Sequence, residues 1–333
     1  MTEIGAGVIG GPYFEDLAIG DVFRSAAVTL TDGQAAIHQA IVGDRLQLPL
    51  SAELAVAVAG GRVVHPGLTW DMAIGQSTEA TQRVIANLFY RGLALRRHPR
   101  IGDTLQTGVE VVAMRQNRAR PGRRPTGLAA LRVRTEDQER RPVLDFWRCA
   151  MLPLRDAEAQ TGRDDDLDAI GADLDAATLA ASLEGWDLAA YREAVPGPHF
   201  DALSTGEWEV EGGDVVDSAP QLARLTLNLA AAHLDRLASA GGRRLVYGGH
   251  TIGLAAAHLT RAFPALLTVV AWRSCDHVGP VYEGDTLRSR VALERLEPLA
   301  EGGGLAYLEV VTHAVDEGEE REVLRWRPIA AFA

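Results

Sequence analysis

Three long stretches in the first half of the chain, "TLQTGVEVVAMR", "GLAALRVRTE" and "VLDFWRCAML", alternate apolar and polar positions with a period of two. That period predicts half-buried antiparallel strands joined by hairpins. Ahead of them "PGLTWDMAIGQSTEATQRV" reads as a helix, with Pro66 suited to an early helical position. The second half follows the same order, with "GGHTIGLAAAHLTRAF" as its helix. Both halves show an entry loop and strand, a helix-like stretch, a Gly-containing turn, a longer helix and several alternating strands. A helix beside such strands is an α+β layout, the helix packed on one sheet face. Both helices carry small residues, Ala73 and Gly75 in one, Gly253 and Ala255 to Ala257 in the other. These are expected to let the helix axis approach a curved sheet closely.

The likeness between the halves extends to the letters. "PRIGDTLQT" returns as "VYEGDTLRS", which sets Asp103 and Asp285 182 positions apart (285 − 103). Aligning "RVVHPGLTW" on "RLVYGGHTI" pairs Gly67 with Gly249 at the same offset. "PYFEDLAIGDVF" is echoed by "PHFDALSTGEWE" at a slightly larger one. Fixed-offset repetition predicts two copies of one supersecondary unit, at residues 1–155 and 195–333, and 333 residues suffice for two units of about 150. Between them, residues 156–194 open on an acidic run and read as a linker ending in a short helix.

Charge narrows the partners. Forty-five acidic against thirty-three basic side chains give a net charge of −12, which disfavours nucleic acid and anionic membrane surfaces. Basic clusters stand at "RRHPR" and "RARPGRR"; the second, rich in Pro and Gly, reads as a solvated hairpin tip, with a role in steering a phosphate-bearing ligand as the alternative. Cys149 and Cys275 lie in separate apolar segments and are expected as buried free thiols. The opening "MTEIGAGVIGGPYFEDL" lacks the pattern of a targeting signal, and no run reaches the roughly 18 apolar residues that span a bilayer. A cytoplasmic protein is the expectation.

The order of elements, together with "YFEDLAIGD", "GRVVHPGLT", "IGDTL", "AHLDRLA", "GRRLVYGGH" and "EGDTL", resembles the MaoC-like (R)-specific enoyl-CoA hydratases and dehydratases over nearly the whole chain except the linker. "GRRLVYGGH" is most similar to the mesaconyl-CoA (2-methylfumaryl-CoA) hydratase branch and related actinobacterial proteins. The resemblance implies a double hotdog: two fused modules, each a long central helix wrapped by an antiparallel sheet. It also implies a CoA thioester as substrate, no metal or redox cofactor, and either a lone pseudo-dimer or a homodimer of pseudo-dimers. The family signature G-D-x-N-P-x-H-x-D-x-x-A keeps its tail here as His233, Asp235 and Ala238, with Asn228 five residues before His233 in place of Asp. In the first half Asp44 resembles the start of the signature. The 182 offset, however, sets Leu46 opposite Asn228 and Ser51 opposite His233, so the first half reads as a degenerate site that shapes the tunnel.

Adding water across a double bond conjugated to a thioester needs a proton acceptor, a proton donor and donors for the enolate oxygen. An imidazole titrating near neutrality makes His233 the candidate for activating water. Asn228 would orient the water through its amide oxygen, and His250 could act as a second acid or base. The amides of Gly249 and His250, at the expected helix N-terminus, would hold the enolate. Arg273, Arg91, Tyr247 and Asp235 are candidates for substrate contact, while His258 reads as packing and His65 as a structural hydrogen bond. One geometric condition follows: in an unbroken helix Asn228 and His233 would lie roughly 140° apart, so the chain must break near Leu229 to Ala232. The alternative readings are an acyl-thioester binding protein that has lost the hydratase activity, and a hotdog thioesterase.

Overall fold

The computed structural model describes residues 10–171, 173–239, 242–316 and 319–333, so the first nine residues of the opening segment lie outside it. The first half contributes strands β1 (Val22–Arg24), β2 (Val28–Thr29), β3 (Ala86–Leu95), β4 (Thr104–Gln116), β5 (Thr126–Glu136) and β6 (Pro142–Pro153). Helices α1 (Asp32–Val42), α2 (Gln47–Leu50), α3 (Ala52–Ala59) and α4 (Pro66–Gln76) precede β3. The segment between the halves carries α5 (Ala176–Ala181) and α6 (Leu188–Ala194). The second half has β7 (Gly206–Glu209), β8 (Asp214–Val215), β9 (Thr268–His277), β10 (Thr286–Pro298), β11 (Gly304–Asp316) and β12 (Glu319–Phe332). Its helices are α7 (Ala219–Leu225), α8 (Ala231–Leu234) and α9 (Gly248–Ala262).

All strands join one antiparallel sheet in the order β1-β4-β5-β6-β3-β9-β12-β11-β10-β7, with β2 added on β4 and β8 on β10. Reading outward from the centre, each side repeats the same order, so the halves are related by a pseudo-twofold at the β3–β9 seam. Arg91 stands opposite Ser274 there, and Ala94 opposite Ala271. This is the double hotdog expected from the resemblance: each half wraps its sheet around one central helix, α4 or α9. Every residue of α4 is buried, as is α9 from Gly249 to Thr260. Helices apolar nearly all round belong in a core. Trp70 of α4 makes edge contacts with Trp272 and Trp326 of the other half, ring centroids 5.0 and 6.1 Å apart. Aromatic pairs of this kind add about 0.5–1.5 kcal/mol each beyond their buried area, so they couple the halves as one core.

The structure corrects three sequence expectations. The helix after Pro66 stops at Gln76 and continues only as a 3-10 turn, because the hydroxyls of Ser77 and Thr78 donate back to the carbonyls of Ile74 and Gly75, both at 2.6 Å. The small residues of the central helices admit the opposite half more than the sheet. A Cβ on Gly75 would lie 2.0 Å from the Thr226 carbonyl oxygen, and one on Gly253 would lie 2.6 Å from Val42. The acidic linker is also better packed than its composition suggests, with Leu167, Leu179 and Tyr191 buried. Other expectations stand as read. Both cysteines are free and buried, "RARPGRR" is an exposed β4–β5 turn, and Asp103 and Asp285 are bound up in turn hydrogen bonds and arginine pairs. No helix among the described residues is long and apolar enough to cross a membrane.

Candidate active site

The break that the helical-wheel argument demands is present. Helix α7 ends at Leu225, Leu227 turns left-handed at φ 58°, and the chain resumes as α8 at Ala231. The backbone N–H of Asn228 returns to the Ala223 carbonyl at 2.9 Å, and its side-chain Oδ1 accepts from the Ala230 amide at 2.9 Å. Leu229 donates its N–H to Thr78 Oγ1 of the first half at 2.8 Å, which fixes the loop against the other module. Asn228 and His233 consequently both line a cavity of about 330 Å³ walled by both halves.

At His233 the Nδ1–H donates to the Leu245 carbonyl at 3.0 Å, so in the neutral ring Nε2 keeps its lone pair. Burial holds this imidazole below the usual histidine range and favours the neutral, basic form. Beside it begins α9. Among the described residues the amides of Gly248 and Gly249 have no acceptor, whereas the amide of His250 is already bonded to the Tyr247 carbonyl at 2.9 Å. The open donors are therefore Gly248 and Gly249, not Gly249 and His250. Glycine is required at both: a Cβ on Gly248 would meet His277 Nε2 at 2.7 Å, and one on Gly249 would meet Asp71 Oδ1 at 2.1 Å.

Several expected contacts do not reach this cavity. His250 is fully buried without a hydrogen-bond partner for either ring nitrogen, does not line the cavity, and is lowered by burial to about 4. Its side chain is a packed neutral ring rather than an acid or base. Arg91 spends its guanidinium on the carbonyls of Leu167, Asp168 and Ile170 in the linker, at 3.1, 3.3 and 3.2 Å. Arg273 pairs with Glu294 and sits over the Tyr307 ring. Both lie across from the central helices, outside the cavity. Asp235 is exposed and caps the turn that follows α8 by accepting from Leu237 N–H at 2.9 Å. Tyr247 does line the cavity, but its hydroxyl is committed to the Asp71 carbonyl at 3.0 Å. Asn228 too presents a different face from the one expected: with Oδ1 occupied by Ala230, its amide N–H groups are what remain for a ligand. His258 packs as expected, between Ser289 and Asp214.

The first half holds a carboxylate where the constant offset placed Leu46. Gly43 at φ 65° precedes Asp44 as left-handed Leu227 precedes Asn228, and Asp44 Oδ1 accepts from Leu46 N–H just as Asn228 Oδ1 accepts from Ala230. The true spacing here is 184 (228 − 44). His65 then closes this half. Its Nδ1 accepts from the Gly67 amide at 2.9 Å, the counterpart of the open Gly249 amide. Its Nε2 stands 3.2 Å from Asp44 Oδ1, near enough for charge attraction though not aligned as a hydrogen bond. The donor that would meet a ligand in the first half is thus occupied by the protein's own imidazole.

Two cavity residues escape the sequence reading. His277, at the end of β9, has no partner for Nε2 and is lowered by burial to about 4. Arg148 of β6 is buried in the same wall. Strand alternation carries a signal for both, since it puts Arg148 on the face of buried Phe146 and Ala150, and His277 on that of buried Cys275.

No protein-family profile matches the chain. Among curated proteins, mesaconyl-CoA hydratase of Cereibacter sphaeroides is 28% identical over 324 residues, covering 95% of this chain and 92% of that protein. Beta-methylmalyl-CoA dehydratase of Chloroflexus aurantiacus is 28% identical over 289 residues, 83% of this chain and 80% of that protein. Among solved structures, RV0216 of Mycobacterium tuberculosis, which has a double hotdog fold, is 52% identical with a TM-score of 0.91, covering 97% of this chain and 98% of that one. A MaoC domain protein dehydratase from Chloroflexus aurantiacus matches in fold with a TM-score of 0.82 at 23% identity, 97% of each chain being covered.

Proposed function

The chain belongs to the MaoC-like double-hotdog hydratases and dehydratases, and we propose that it reversibly hydrates an enoyl-CoA thioester in the cavity shared by its two modules. The observation that carries the reading is the convergence, on one cavity, of an imidazole with a free Nε2 and the helix start at Gly248, whose amide is unbonded and is followed by the unbonded amide of Gly249. In the hydration direction His233 Nε2 takes a proton from water as the water oxygen bonds to C3 of the acyl group. The C2=C3 electrons move onto the thioester, and its oxygen is met by the amides of Gly248 and Gly249 at the positive end of α9. The imidazolium returns the proton to C2, so water is added and the enzyme is regenerated. Asn228 holds the attacking water by donating to its oxygen. His277, neutral near pH 7, is a further donor beside Gly248.

CoA enters only as part of the substrate, and the proposed chemistry uses side chains and main-chain amides throughout. A cytoplasmic location is part of the same reading. The test is to incubate the protein with short, long and branched enoyl-CoAs while following hydroxyacyl product and free thiol. Hydroxyacyl-CoA is the expected product. Thiol release would make the protein a thioesterase, and saturable binding without turnover would make it a carrier.

A further inference from the structure

Asp71 is the one ionisable side chain of α4, and it is fully buried. A carboxyl so placed is rare unless partners meet its charge. Its Oδ2 is hydrogen-bonded with His38 Nε2 of α1 at 3.1 Å, while among the described residues its Oδ1 has no hydrogen-bond partner. That bare oxygen lies against the start of α9, since the Cβ that Gly249 lacks would fall 2.1 Å from it. Tyr247, which precedes α9, donates its hydroxyl to the main-chain carbonyl of Asp71 at 3.0 Å. Asp71 does not line the cavity, so the carboxyl backs Gly249 from outside it.

A charge at this place bears on the reaction. The enolate oxygen gains negative charge beside the amides of Gly248 and Gly249, and a carboxylate behind them would repel it and oppose the positive end of α9. Inside the protein such repulsion is poorly screened. The surroundings of Asp71 are also unlike those of an ionised carboxylate. Buried Asp285 shows the contrast, with Arg243 and Arg321 on its two oxygens and the Tyr282 amide besides. The buried arginine near Asp71, Arg148 of β6, bonds instead to Ser77, Thr81 and Asn87. Burial raises the Asp71 carboxyl above the usual carboxylate range, and His38, His65 and Tyr247 offset this only in part.

Building on the hydratase reading, we propose that Asp71 serves the site as an uncharged carboxylic acid whose proton is donated to His38, and that the enolate forms beside Gly249 only while that proton is in place. Asp71 is then a positioning residue, fixing Tyr247 and backing Gly249 from the first module without touching the substrate. Loss of the proton to solvent turns the buried pair into an anion, and hydration falls as pH rises. The other titratable groups facing this carboxyl are His65 ahead of α4, Tyr247 ahead of α9 and Tyr90 of β3. Beyond them Asp44 faces His65, and His250 of α9 faces His38. Burial pushes Tyr90 and Tyr247 above the usual tyrosine range, so neither supplies the anion.

The test compares Asp71→Asn, which keeps the shape and removes the ionisation, with the wild type from about pH 7 to about pH 10. One readout is kcat/KM for hydration of crotonyl-CoA. The other, without turnover, is the affinity for acetoacetyl-CoA, whose enolate shares its charge with the thioester oxygen. In both, the ratio of variant to wild type should rise by at least about tenfold across that range, because only the wild type acquires the buried anion. His38→Leu removes the partner that favours ionisation, so the alkaline limb should move to higher pH. A constant ratio, which a purely structural role would give, or a limb unmoved by His38→Leu, would overturn the assignment. Chemical denaturation checks that each variant is folded, and if one is not, the other decides alone. Absence of hydration at every pH, with the acetoacetyl-CoA shift intact, would instead count against the hydratase reading alone.

Discussion

With Oδ1 held by the Ala230 amide, Asn228 offers the cavity N–H groups and no charge, which leaves proton transfer to imidazole. A carboxylate in its place would favour the imidazolium of His233, whose titration burial now holds below the usual range. In Asn228→Asp the acid limb of kcat/KM should therefore move to higher pH than in the wild type, and an unchanged limb would separate residue 228 from the base. The signature tail made His233 and Asn228 legible in the sequence, because residue type and spacing suffice to recognise them. Arg148 and His277 were not, since each comes from a strand remote in sequence and only the sheet brings it to the cavity. The first-half carboxylate was missed for another reason: the repeat is not rigid, and the stretch from Asn228 to Gly249 is two residues shorter than that from Asp44 to Gly67, so a constant offset paired Asn228 with Leu46.

At the scale of elements, the requirement for a helix break followed from angular arithmetic alone, and the structure meets it with α7, left-handed Leu227 and α8. The small residues of the central helices were visible too, but what they admit depends on the other half, which local pattern cannot supply. Gly75 is the sharpest case, because its added Cβ would fall on the Thr226 carbonyl, two residues before Asn228. Gly75→Ala should destabilise the protein by about 1–3 kcal/mol, the usual range for overpacking, and should lower kcat by displacing the Asn228 loop. Chemical denaturation and steady-state rates measure both. Wild-type values in each would show that the loop is not wedged against α4.

Over the whole molecule, the internal repeat disclosed two modules, whereas the β3–β9 seam and the Trp70 cluster that fuse their cores are long-range contacts without a local signal. Packing also shields histidines in both halves from water. His98, His250 and His277 are each lowered by burial to about 4, from an ordinary value near 6.5. Between these values the unfolded chain binds protons that the native state does not, so their contribution to stability is fully present above about pH 6.5 and is lost as pH falls toward 4. Denaturant midpoints should drop across that window, and a flat profile would contradict the buried neutral rings. The account depends most on one imidazole facing the pocket that both halves enclose. The direct measurement is hydration by His233→Ala alongside the wild type, with thioester affinity determined for each: the rate should fall by at least about 100-fold with affinity nearly kept, and a variant that hydrates at the wild-type rate would contradict the assignment of His233 as the base.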